Sequence, residues 1–100
     1  MSWVKAALAK LQAGEPAQVR PQGGSMRGRI ESGQLVTITP AAHGDIAVGD
    51  VVFVRWKGNY LLHLVLAVEP DRLLIGNNVG KTNGWAAAAD VIGKVVAVEV

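Results

Sequence analysis

One hundred residues make one small domain with a modest core, since a chain of this size buries well under about three-quarters of its unfolded surface. Half of the residues are hydrophobic and 18% are charged, which excludes a disordered chain, and a net charge of +2 is too small to mark a nucleic-acid protein by itself. There is no cysteine, so disulfides, thiolate catalysis and cysteine-based zinc sites are excluded.

Residues 2–13 (SWVKAALAKLQA) predict a short helix. Ser2 is the N-cap candidate, Val4, Leu8 and Leu11 share one face with Ala7 beside them, and Gly14 is a natural stop before Glu15-Pro16. Lys5 and Lys10 interrupt the continuous apolar core that an export signal needs, and the longest apolar stretch, Leu64 to Val68, is too short to span a bilayer. The expectation is a cytoplasmic protein with no membrane partner.

From Ala17 the pattern turns to strands. Ala17 to Arg20 is short and extended, and Leu35 to Thr39 alternates apolar and polar residues before Pro40. Asp50 to Trp56 (DVVFVRW) and Asn59 to Glu69 (NYLLHLVLAVE) flank Lys57-Gly58, a hairpin signal. Pro70-Asp71 makes the next turn and Arg72 to Ile75 runs into Gly76. An irregular loop and an alanine run at 86–89 follow, and Val91 to Val100 reads as a closing strand. The chain is therefore expected to be a single mostly-β domain over residues 1–100, α+β by count, with an N-terminal helix.

Two places invite chemistry. In the long strand, Tyr60, Leu62, Leu64, Leu66 and Val68 share a uniformly apolar face, while Leu61, His63, Val65, Ala67 and Glu69 share a mixed one. His63 is thus expected on the face less committed to the core, either as a base or as an imidazole packed among aliphatics with one hydrogen bond. In Gly23-Gly24-Ser25-Met26, adjacent glycines allow a sharp turn whose N–H groups can point at an oxyanion. A serine there is a nucleophile if a base lies within reach, and otherwise belongs to an ordinary loop.

In order, the chain reads GGSMRGRIESGQLVTITP, GDIAVGDVVFVRWKGNYLLHLV, IGNNVGKTNGW and VIGKVVAVE. These blocks resemble the LexA-type and signal peptidase I superfamily of serine peptidases, whose domains carry G-x-S-M-x-P-x-I, G-D-x-V, a strand bearing the base, G-D-N and a final I-G-K-V strand. The resemblance runs from about Arg20 to the C-terminus. It implies a ribbon-rich β domain with a small barrel-like core, with Ser25 as nucleophile in a loop with Gly23, Gly24 and Met26. In LexA-type and bacterial signal peptidases the base is a lysine early in the strand after the hairpin. Endoplasmic-reticulum and archaeal signal peptidases have a histidine there, and His-Leu-Val puts His63 in that slot.

Departures from the pattern bear on activity. Asn77 and Asn83 stand where acidic residues would be, and the resemblance gives one of them the task of orienting His63. An amide can accept an imidazole N–H but cannot stabilise an imidazolium by charge, so slow or narrowly specific chemistry is expected. Gly28 replaces the family proline. Lys57 and Lys94 are fallback bases outside the family position, and Arg27 and Arg29 are either steering groups for an acidic substrate or simply solvated. Ala13-Gly14 reads as a self-cleavage bond of the LexA kind or as a helix cap. No transmembrane anchor or helix-turn-helix domain accompanies the blocks, so a free-standing peptidase domain acting on a peptide or protein is expected, with no metal and no cofactor. The rival reading is a catalytically idle module that dimerises or docks a protein partner through strand edges. A nucleic-acid binder using Arg20, Arg27 and Arg29 is the weakest reading, because aromatic residues for base stacking are few.

Overall fold

The apolar spacing near the N-terminus produces helix α1, Trp3–Gln12, which buries Ala7 and Leu11 and packs Trp3, Val4 and Leu8 beside them. Its end is a Schellman motif, with Gly14 at φ +79°. The Gly14 N–H donates to Leu11 O at 3.0 Å and the Glu15 N–H to Lys10 O at 3.0 Å. Ala13-Gly14 thus forms the helix stop. The chain is described by a computed structural model over residues 3–21, 30, 33–77 and 81–99.

Seven strands follow: β1 (Ala17–Val19), β2 (Leu35–Pro40), β3 (Val51–Trp56), β4 (Asn59–Glu69), β5 (Arg72–Gly76), β6 (Thr82–Ala87) and β7 (Val91–Glu99). They form one antiparallel sheet in the order β1-β2-β7-β3-β4-β5-β6. The β3–β4 hairpin turns on Lys57 (φ 51°) and Gly58 (φ +79°), the two positive values that a two-residue turn of the right twist requires. Strand β7 can lie between β2 and β3 only because position 93 is glycine. A Cβ there would sit 2.6 Å from Thr39 O and 2.9 Å from Ile38 Cγ2.

Strand β6 corrects the expectation of an irregular loop before the alanine run. Residues 82–85, expected within that loop, run inside a strand because the outer edge of β5 supplies the partner, pairing Leu74 with Trp85 and Leu73 with Ala86. Asn83 is the extra residue where the register shifts, between the pairs Gly76–Thr82 and Ile75–Gly84.

Both faces of β3 are covered, which is why Val51, Val52, Phe53 and Val54 are buried in succession. Val51, Phe53 and Leu62 join Val36, Ile38 and the helix in one core. Val52, Val54 and Val65 join Leu73, Ile75 and Ala86 in a second. Beyond β4 the sheet curls until Trp56 Nε1 donates to Trp85 O at 3.3 Å, linking β3 to β6 through a side chain. No backbone ladder joins these two strands among the described residues, so the sheet is open, with β1 and β6 as its edges. No helix among the described residues is long and apolar enough to cross a membrane.

Candidate active site

The hairpin fixes the position of His63. A two-residue turn puts β3 and β4 in register, so that Val52 pairs with His63 on one side and with Lys94 of β7 on the other. Lys94, Val52 and His63 therefore form one row across three strands, facing the second core.

His63 is 7% exposed and Val65 beside it 1%. The mixed face of β4 is thus the more deeply buried at this point, which corrects the expectation that His63 lies on the face less committed to the core. The cause is distant in sequence: β5 and β6 curl over this face, and Ile46 from the β2–β3 connection adds to the cover. Nothing in the alternation within β4 announces those elements.

The imidazole Nδ1 lies 2.5 Å from Leu62 O. A carbonyl oxygen only accepts, so Nδ1 carries a proton, and whenever the ring is neutral its lone pair is at Nε2. Among the described residues Nε2 has no hydrogen-bond partner. This is the tautomer that a general base needs, held by a main-chain group.

Of the two residues that the resemblance gives the task of orienting His63, Asn77 binds within its own loop. Asn77 Oδ1 accepts the Lys81 N–H at 2.9 Å, and the Asn77 N–H donates to Lys81 O at 2.8 Å, which closes the connection between β5 and β6. Asn83 Oδ1 is buried at the β6 irregularity without a hydrogen bond. Among the described residues, the Leu62 carbonyl holds the His63 ring. Sequence reasoning could not have found it, because every residue carries a carbonyl and only the fold selects one.

Both fallback lysines have other occupations. Lys57 is exposed at the hairpin turn with Nζ 4.6 Å from the centre of the Trp56 ring. Lys94 Nζ donates to Asp45 O at 3.0 Å.

Ser25, Gly23, Gly24 and Met26 lie outside the described residues, as do Arg27, Gly28 and Arg29. The residues flanking that segment are well anchored. The Gly33 N–H donates to Pro21 O at 3.2 Å, and the Arg20 guanidinium donates to Gly33 O at 2.8 Å. Ile30, the last position of the Ser-Met block, is 4% exposed in the first core with Val51 and Leu62, both next to residues of the His63 row.

One further feature meets His63. Strand β4 pairs with β5 only from Leu64 to Glu69, so Asn59 to His63 have no neighbour on that side among the described residues. The tight turn makes Trp56 and Asn59 a hydrogen-bonded pair, and alternation then turns the backbone groups of Tyr60 and Leu62 towards the open side. Among the described residues, an unpaired strand edge therefore runs up to the imidazole. Compared with protein-family models and with curated protein sequences, the chain matches none.

Proposed function

We propose that the chain is a serine endopeptidase with a LexA/signal-peptidase-like fold, in which Ser25 is the nucleophile and His63 the general base. The observation that carries this reading is the His63 ring, with Nδ1 donating to Leu62 O and Nε2 left for a proton, at the end of a strand edge that is unpaired among the described residues. A peptide in extended form adds to that edge through the outward backbone groups of Tyr60 and the Leu62 N–H, the usual way a sheet edge binds a strand. Ser25 Oγ attacks the scissile carbonyl as His63 Nε2 takes its proton, and the same imidazolium then returns the proton to the leaving amine. A water molecule repeats the sequence on the acyl-enzyme. The Ser25 N–H, in a turn made by Gly23 and Gly24 ahead of Met26, stabilises the oxyanion. Leu62 O offers the imidazolium a dipole and no full charge, so turnover is slow.

A second reading, an interaction module that dimerises or docks a protein partner, is favoured by exposed valines. Val48, Val96 and Val98 are 64%, 56% and 37% exposed, and β7 beyond Lys94 pairs with β2 but no longer with β3. An activity-directed fluorophosphonate separates the two. The wild type is expected to gain a single adduct mass on Ser25, with none on Ser25→Ala. Equal labelling of both proteins, or no labelling of either, would favour the interaction module.

A further inference from the structure

On the face of the β3–β4 hairpin opposite His63 lies a cavity of about 350 Å³, between the last turns of α1, the hairpin and the segment leading into β7. Leu8, Leu11 and Ile92 give it apolar walls, and Arg55, Tyr60 and Asp90 bring polar groups to it. Arg55 alternates with Val52 and Val54 along β3, so this cavity belongs to the helix side and is separate from the His63 row.

Two opposite charges face one cavity here without meeting. Among the described residues the ion pairs are Lys10 with Glu15 and Arg72 with Glu69, so Arg55 and Asp90 are not paired with each other or with anything else. Neither side chain makes a hydrogen bond to a described residue, and the hydroxyl of half-buried Tyr60 makes none either. Arg55 is exposed and Asp90 and Tyr60 are half-buried, so water reaches all three groups and a bound molecule can take its place. A free anion would be drawn by Arg55 and repelled by Asp90, and a free cation the reverse. A molecule carrying both charges satisfies both groups.

We propose that this cavity binds a small aliphatic zwitterion, an amino acid or dipeptide with free termini. The Arg55 guanidinium donates two N–H groups to the carboxylate, the planar match that arginine makes best. Asp90 accepts from the ammonium, and the aliphatic side chain lies against Leu8, Leu11 and Ile92. The volume is at the lower end of the usual range for small-molecule sites, which suits a ligand of this size.

The test is an amide-resolved NMR titration of the full chain with four probes: leucine, Leu-Leu dipeptide, leucinamide and N-acetylleucine. At least one zwitterion is expected to shift the amides of Arg55, Tyr60 and Ala89 to Ile92 saturably. Leucinamide lacks the carboxylate and N-acetylleucine the ammonium, and each is expected to bind about tenfold more weakly or worse, as loss of a charge-assisted bond requires. Arg55→Gln and Asp90→Asn are expected to weaken the zwitterion to a similar degree. Saturation by leucine identifies a free amino acid as the ligand, and saturation by the dipeptide alone identifies a short peptide. No saturable shift from either zwitterion up to about 10 mM, or equal binding of all four probes, would overturn the proposal.

Discussion

Replacing His63 by glutamine is expected to lower peptide cleavage by about 10²–10⁴-fold, the range that general acid–base catalysis supplies. Glutamine is close in size, so packing at this 7% exposed position is largely retained. What it lacks is a basic lone pair to take the Ser25 proton. Unchanged near-ultraviolet circular dichroism would separate loss of the base from loss of the fold. A His63→Lys variant sharpens the test. Lysine acts as a base only when neutral, and its ordinary pKa lies about four units above that of histidine, with burial recovering part of the difference. Cleavage by this variant is therefore expected to rise at higher pH than in the wild type. A glutamine variant that cuts at the wild-type rate would remove His63 from the chemistry.

Phe53→Ala is expected to destabilise the domain by about 3–5 kcal/mol, a large share of the roughly 5–15 kcal/mol that holds a domain of this kind together. Phe53 is wholly buried at the centre of β3, paired with Leu62 on one side and Gly93 on the other. Its ring centre lies 5.5 Å from that of Trp3 and 6.1 Å from that of Tyr60, so it joins the helix to the hairpin. No neighbour can fill the space left by the ring from the β7 side, because the residue opposite is glycine. The check is a urea titration of both proteins: the midpoint falls sharply in the variant while the slope stays constant. A loss under about 1 kcal/mol would mean that the first core does not depend on this residue.

Local sequence signals were strong where the structure is locally determined. The helix stop at Gly14, the two-residue turn at Lys57-Gly58 and the full length of β4 each follow from a few adjacent residues. Strand β6 was hidden because its pairing partner, and not its own composition, makes it a strand. The burial of His63 was hidden for a related reason, since the elements covering it come from β5, β6 and the connection before β3. The Asn77 side chain illustrates the same limit. The resemblance gives it an orienting task, while the contact that no sequence signal announces is its acceptance of the Lys81 N–H. Main-chain groups such as Leu62 O become legible only once the register is known.

The most direct test of the central claim is cleavage of a diverse peptide library by the purified chain, read by mass spectrometry across pH 6–10 beside Ser25→Ala. The account predicts products from the wild type that are absent from Ser25→Ala, with a shared sequence preference around the cut. Identical traces from the two proteins would contradict it and leave the exposed edge of β7 as the better guide to function.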